Sequence, residues 1–309
     1  MEAKGLPGDV QEFFQALAEV RQLQIDDFTQ ILRVMAHRPV IIRLLDAPLH
    51  EFLPQHEILL AELAELRVKG APNHELKEKE EFLQLVESLR EANPMLGHRG
   101  CRLGLTYPAI YEMQMEAIIT ASGNLIKDGV QVHPEIMVPL TSHVEEMRRL
   151  RQTLTGVADR VQQQMGVSVP CKFGTMIETP RGAIIAGEIA RESDFFSIGT
   201  NDLTQMAFGF SRDDAEGKFL RYYVEEGILP ADPFTTIDSE GVGALVAMAV
   251  EKGRKTNPDM EMGICGEHGG DPASIDFCHH VGLNYVSCSP YRVPVARLAA
   301  AQAVLKQNG

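Results

Sequence analysis

Positive charge is scarce in this 309-residue sequence: 29 Lys and Arg stand against 43 Asp and Glu, for a net charge of −14. A nucleic-acid-binding face is usually net basic, so nucleic acid is a poor fit as a partner. Long apolar runs are missing too. Nothing approaches the roughly 20 residues that a membrane-spanning helix needs, and no membrane role is expected. The opening MEAKGLPGDVQEFF has neither the apolar core of a signal peptide nor Arg/Ser-rich transit character. No C-x-x-C spacing occurs, and the cysteines (Cys101, Cys171, Cys265, Cys278 and Cys288) number five, an odd count. That fits a reducing compartment, the cytoplasm, better than a disulfide framework. Tryptophan is absent, which carries no inference. Internal repeats, low-complexity tracts and a G-x-G-x-x-G fingerprint are also lacking. Apolar residues at 44% and charged residues at 23% are ordinary for a globular chain. The length admits two domains or one barrel.

What is present is an alternation of elements. The first 35 residues read as helix, with Phe13, Phe14, Leu17, Val20, Ile31, Leu32 and Met35 at helical spacing. Val40–Leu45 is short, β-branched and closed by Asp46-Ala47-Pro48, which favours a buried strand. The charge-dense stretch at about 54–92 reads as a helical excursion, and Glu75–Glu81 as a solvated helix face. Further strands are expected at Glu135–Leu140, Lys172–Glu178, Phe195–Asp202, Glu261–Glu267 and Tyr285–Pro290. Helices are expected at 109–127, 142–165, 180–191, 239–254, 272–282 and 292–307. Such alternation implies a parallel sheet. The strands carry polar residues at their C-terminal ends: Arg43, Asp46, Glu178, Asn201, Asp202, Cys265, Glu267 and Ser289. Delivery of functional groups to one rim by several strands is the arrangement of a (β/α)₈ barrel.

Several of these groups suit chemistry. Glu178 and Asp202 each end an apolar run, and two hard oxygens facing one pocket suit Mg²⁺; each could equally cap the helix that follows. Gly199-Thr200-Asn201-Asp202 places backbone N–H groups at a helix start, either an anion cradle or a plain β–α turn. Arg43 lies inside an apolar strand, Arg99 in GHRG and Arg212 in GFSRDD. The guanidinium fork suits carboxylate or phosphate, and it also serves ordinary ion pairs. Cys265, in GICGEHGGDP, sits between glycines, with Glu267 and His268 near enough in sequence to tune a thiol; a bland buried cysteine is the alternative.

Together these segments resemble the C-terminal phosphoenolpyruvate/pyruvate domain of the pyruvate phosphate dikinase family, related to phosphoenolpyruvate synthase and to enzyme I of the sugar phosphotransferase system. The matching text is RPVIIRLLDAPLHEFLP, GHRGCRLG, GTMIETPRGA, FFSIGTNDLTQMAFGFSRDD, GICGEHGGDP and YVSCSPYRVPVARLAAAQ, over about residues 30–307. The resemblance implies a (β/α)₈ TIM-type barrel over 36–309, entered through a helical segment at 1–35. It implies that Glu178 and Asp202 hold Mg²⁺, and that Arg43, Arg99 and Arg212 contact the phosphate and carboxylate of phosphoenolpyruvate. Gly199, Thr200 and Asn201 would complete the cradle, and Cys265 would exchange the proton at C3 of the enolate. It further implies a homodimer and a phosphohistidine supplied by another domain, in cis or in trans.

The family's ATP-grasp and phosphohistidine domains are not represented. Thr141-Ser142-His143 is similar to a phosphohistidine segment, but Val138-Pro139-Leu140 stand where glycines would, so Ser142 reads as a helix N-cap with Glu145 closing a capping box. The adjacent Cys278-His279-His280 point in different directions on a helix and do not read as a metal site. The family's first barrel strand is missing or replaced by MEAKGLPGDV, and the third is placed near Gly97–Leu105. A chain so reduced could instead serve as a ligand-binding or dimerisation module, or as a Mg²⁺-dependent pyruvate lyase.

Overall fold

A computed structural model describes residues 10–308. Helix α1 (Val10–Val34) leads into strand β1 (Pro39–Arg43). Helices α2 (His56–Val68) and α3 (Asn73–Leu89) form a hairpin closed by Leu59, Leu63, Leu83 and Val86. After α4 (Cys101–Thr106) and α5 (Pro108–Lys127), the chain alternates: β2 (His133–Val138), α6 (Val144–Met165), β3 (Lys172–Ile177), α7 (Pro180–Ile184), α8 (Ala186–Ile189) and β4 (Phe195–Gly199). Then come α9 (Thr200–Phe208), α10 (Arg212–Lys218), α11 (Leu220–Glu225), α12 (Val242–Thr256), β5 (Glu261–Cys265), α13 (Pro272–His280), β6 (Tyr285–Val286) and α14 (Val293–Asn308).

The six strands form one sheet in chain order, β1-β2-β3-β4-β5-β6, and every neighbouring pair is parallel. Successive side chains on a strand point to opposite faces, and the two faces have different fates here. Ile42, Ile136, Val138 and Phe173 pack outward against Tyr111, Met115, Ile118 and Ile119 of α5 and Met147, Leu150 and Leu154 of α6. Ile177, Phe196, Ile198, Met262 and Ile264 pack outward against Val242, Val246, Ala249 and Val250 of α12. The inner face carries Ile41, Met137, Met176, Phe195 and Cys265 as a smaller cluster. Both faces are therefore covered, as parallel sheets require.

The sheet stops short of the eight-stranded barrel expected from the sequence. Among the described residues β1 pairs with β2 only and β6 with β5 only. The expected first-strand position, MEAKGLPGDV, lies almost wholly outside the described residues. The expected third strand near Gly97–Leu105 is not a strand. Gly100 takes φ 58°, where a Cβ would meet Leu140 and Asp46, and it starts α4 directly. The Cys101 N–H then bonds the Pro139 carbonyl, so this segment docks on the tip of β2 while β1 pairs with β2.

Smaller corrections concern element ends. The α6 N-cap is His143, not Ser142, and the capping-box partner is Glu146, not Glu145. Ser142 joins the same network, its N–H bonding Glu146 at 2.7 Å. The strand β4 ends at Gly199, so Thr200, Asn201 and Asp202 belong to the first turn of α9. Polar groups also occupy the opposite ends of the strands, where Lys172 bridges Glu135 at 2.8 Å and Glu261 at 3.1 Å. That bridge closes the N-terminal end of the inner face and leaves the C-terminal rim as the open one.

Candidate functional site

The rim holds a cavity of about 1160 Å³, lined by Arg43, Asp46, Arg99, Glu178, Gly199, Thr200, Asn201, Asp202 and Cys265, with Met137 and Met176 as apolar lining. Arg43 and Asp46 come from the tip of β1, Glu178 from that of β3, Gly199 to Asp202 from that of β4 and Cys265 from that of β5, while Arg99 comes from the segment that leads into α4. Because the strands are parallel, their C-terminal ends share one side, and residues separated by more than 200 positions meet there.

Glu178 follows β3 and is 2% exposed. Its Oε1 accepts from the Leu140 N–H at 2.7 Å, which anchors Leu140 at φ 61°. A Cβ on Gly199 would come within 2.5 Å of the Glu178 Oε2, so the glycine is what lets the carboxylate lie against the tip of β4. Burial first, then the charges of Asp202 and Asp46, push the Glu178 carboxyl well above the usual carboxylate range. Asp202 does not cap α9. Gly199 occupies that position, and Asp202 faces the cavity.

Arg99 ties the carboxylates together. Its Nε and Nη2 donate to the two oxygens of Asp46 at 3.2 and 2.9 Å, and Nη2 also donates to Asp202 at 2.5 Å. The Asp46 hydrogen bonds and the charges of Asp202 and Asp46 outweigh burial and raise the guanidinium further above its usual range. Arg43, at the end of β1, is half exposed and pairs with Asp46 at 3.3 Å. It is thus not the buried arginine its apolar run suggests. Asp46 is the functional residue that sequence reasoning left without a role. With Glu178 and Asp202 it forms the one cluster, among the described residues, of His, Cys, Asp or Glu groups able to share an ion, one oxygen from each lying within 4.8 Å of the others. The signal was its place three residues after Arg43, closing the RLLD run.

Cys265 ends β5, its Sγ 3.5 Å from the Ile198 carbonyl. Burial pushes the thiol up to about 11, and the nearby Glu178 and Asp202 charges raise it while Ser197 and Arg43 oppose. The thiol is therefore protonated at neutral pH. His268 does not tune it: the ring is turned away, toward Thr200 and Pro233. Arg212 stands outside the main cavity. It lines a neighbouring one of about 350 Å³ that shares Asn201 and Gly266 with the first. Its Nη1 donates to Asn201 Oδ1 at 3.1 Å, its Nε to Glu216 at 2.8 Å, and its guanidinium lies 5.5 Å from the Phe234 ring centre. Cys278, His279 and His280 diverge as expected, the first buried, the others bonded to Gln307 and to the Asp276 carbonyl.

Among the described residues no helix is long and apolar enough to cross a membrane. Comparison with known proteins finds strong likeness. The chain is 50% identical over 302 residues to the pyruvate, phosphate dikinase of Entamoeba histolytica, covering 97% of this chain and 34% of that protein. It is 50% identical over 295 residues to that of Clostridium symbiosum, covering 95% and 33%. It is 54% identical over 284 residues to the chloroplastic enzyme of Flaveria bidentis, covering 91% and 29%. The chain spans about a third of the length of these curated relatives. Among solved structures, a citrate lyase from Burkholderia xenovorans LB400 aligns with a TM-score of 0.43 at 12% identity, covering 86% of this chain and 78% of that one; at that score the likeness carries no argument. Residues 4–305 match the family described as PEP-utilising enzyme, PEP-binding domain, and the chain belongs to it.

Proposed function

We propose that this chain is the phosphoenolpyruvate/pyruvate-binding catalytic domain of a pyruvate phosphate dikinase. It would interconvert pyruvate and phosphoenolpyruvate by phosphoryl transfer from or to a histidine carried on another domain. The observation that carries the reading is the meeting of the protonated Cys265 thiol with the Glu178, Asp202 and Asp46 carboxylates and with Arg43 and Arg99 around one cavity.

The donor set fits Mg²⁺. Three buried carboxylates repel one another, and a hard divalent cation offsets that repulsion while leaving positions for substrate oxygens. Glu178 and Asp202 are the proposed ligands, with Asp46 beside them. When bound, Mg²⁺ supplies Lewis-acid stabilisation of the negative charge that develops on the keto oxygen of pyruvate.

The chain's own residues do the rest. Arg43 and Arg99 bind the carboxylate and phosphate, and Arg212 reaches them through Asn201, which offsets charge on the transferring phosphoryl group. Gly199, Thr200 and Asn201 hold the substrate against the strand tip. In the pyruvate-forming direction the phosphoryl group leaves for the histidine and the enolate C3 takes the proton of Cys265; solvent then reprotonates the thiolate. In the reverse direction the thiolate removes a methyl proton.

The six parallel strands in chain order support a place within a (β/α)₈ barrel. Homodimerisation and a cytoplasmic setting complete the reading, and light scattering tests the first of these. The central test is exchange of pyruvate methyl protons with deuterium in the presence of Mg²⁺. Exchange above a Cys265→Ala control supports the reading, and exchange no faster than that control overturns it.

A further inference from the structure

His268 is 1% exposed, is a histidine in the CGEHGGDP run, and has no part in the chemistry proposed above. Its two ring nitrogens nevertheless meet two different segments. Nε2 lies 2.9 Å from the Pro233 carbonyl, and Nδ1 lies 2.6 Å from the Thr200 hydroxyl. A carbonyl oxygen only accepts, so Nε2 carries the hydrogen. Burial holds the imidazole below its usual range, which favours the neutral ring. In the neutral ring Nδ1 must then accept, and Thr200 must donate to it.

The Thr200 hydroxyl has one hydrogen and two acceptors within reach. The second is the Cys265 carbonyl, at 3.0 Å. With the ring neutral and its hydrogen on Nε2, the hydroxyl hydrogen must turn to Nδ1, at 2.6 Å, and away from that carbonyl. Thr200 is fully buried, lines the substrate cavity, and sits between Gly199 and Asn201 on the first turn of α9. Next to Cys265, Gly266 has φ 101°, and a Cβ there would meet Thr200 Oγ1 at 3.3 Å, so the two turns pack at close range. Pro233 precedes Phe234, the ring over which Arg212 lies.

From this arrangement, and resting on the function proposed above, we infer that His268 is a positioning residue: its Nδ1 holds the Thr200 hydroxyl, and with it the Gly199–Asn201 cradle, in register with the Cys265 tip, while its Nε2 ties the Arg212-supporting loop to the same point. The ring contacts no reacting atom. It joins the turn after β4, the turn after β5 and the loop before α12 through one buried side chain.

Two substitutions separate its two bonds. His268→Asn places an amide oxygen near the Nδ1 position and keeps the Thr200 bond while losing Pro233. His268→Gln places an amide N–H near the Nε2 position and keeps Pro233 while losing Thr200. Measured on the whole chain, His268→Asn is expected to lower Tm but slow Mg²⁺-dependent pyruvate exchange far less than His268→Gln does. His268→Gln is expected to keep more of Tm but slow exchange by about tenfold or more, as misplacement of a binding group does. Long-range ¹H–¹⁵N spectra, with the His268 signal identified by its loss in the variants, should show hydrogen on Nε2 and none on Nδ1. Hydrogen on Nδ1 alone would overturn the inference, as would exchange that simply follows Tm in both variants. If the unmodified chain shows no exchange, the proposed function fails, and the tautomer of His268 still decides this inference separately.

Discussion

Gly199 and Glu178 occupy space that only one Cβ can share: a methyl at Gly199 would sit 2.5 Å from the Glu178 Oε2 and 2.7 Å from its Cβ. Glu178 cannot retreat, because its other oxygen is bonded to the Leu140 N–H. Gly199→Ala should therefore displace the carboxylate rather than be absorbed. Overpacking of this kind costs about 1–3 kcal/mol. The expected result is a moderate loss in urea stability with a much larger loss of Mg²⁺-dependent pyruvate exchange. Retention of full exchange would show that Glu178 has no need of its present place.

Among the described residues Arg99 is the single counter-charge that reaches both Asp46 and Asp202, and all three side chains are nearly buried. Removing one partner from such a group typically costs about 3 kcal/mol or more. Arg99→Met should lower stability on that scale, and Mg²⁺ should raise its Tm more than that of the unmodified chain, since a cation replaces the lost charge. Arg99→Lys keeps the charge but not the fork, so it should recover stability better than pyruvate affinity. Urea titration and calorimetric pyruvate binding check the two effects separately.

Glu178 holds its proton unusually tightly because it is buried beside Asp202 and Asp46. Mg²⁺ binding must expel that proton. Calorimetric titration with Mg²⁺ near neutral pH, in buffers of different ionisation enthalpy, should show proton release. The release should shrink as pH rises through the raised range of Glu178, and it should vanish in Glu178→Gln.

Buried thiols make the fold sensitive to alkali. Burial pushes Cys278 up from 9.0 to about 12, and Cys278 is 2% exposed. The folded state keeps this proton where the unfolded chain loses it, so the unfolded state binds fewer protons and stability falls with rising pH. The contribution is complete below about pH 9 and is lost as pH rises from there through about 12, at about 1.4 kcal/mol per unit for one thiol. Cys278→Ala should flatten the slope of unfolding free energy between pH 9 and 11 by up to one proton, whatever its effect on stability at neutral pH.

Six of the elements that build the rim were readable from the chain because strands of a covered parallel sheet are short and apolar. Val40–Leu45, which is also β-branched, Lys172–Glu178 and Phe195–Asp202 announce themselves that way, and all three contain strands of the sheet. Gly97–Leu105 misled because glycine-flanked text carries no period. Only the contact of Gly100 with Leu140 and Asp46 decides that a helix starts there. The capping residue of α6 differs by one position because Ser142 and His143 can both serve, and the local capping box closes between His143 and Glu146.

Residue type and local order settled which groups are available: a thiol between glycines, carboxylates at strand ends, arginines in glycine-rich or apolar runs. These are properties of a few consecutive residues, set by side-chain chemistry and by the two-residue period of a strand. The sequence alone could not decide that Asp46 completes the acidic cluster, that Arg212 looks into a second cavity, or that His268 serves Thr200 instead of Cys265. Those are distances between strand tips far apart in the chain. They come into being only when parallel pairing brings all the C-terminal ends to one side, and buried charge then selects its partners by proximity in space.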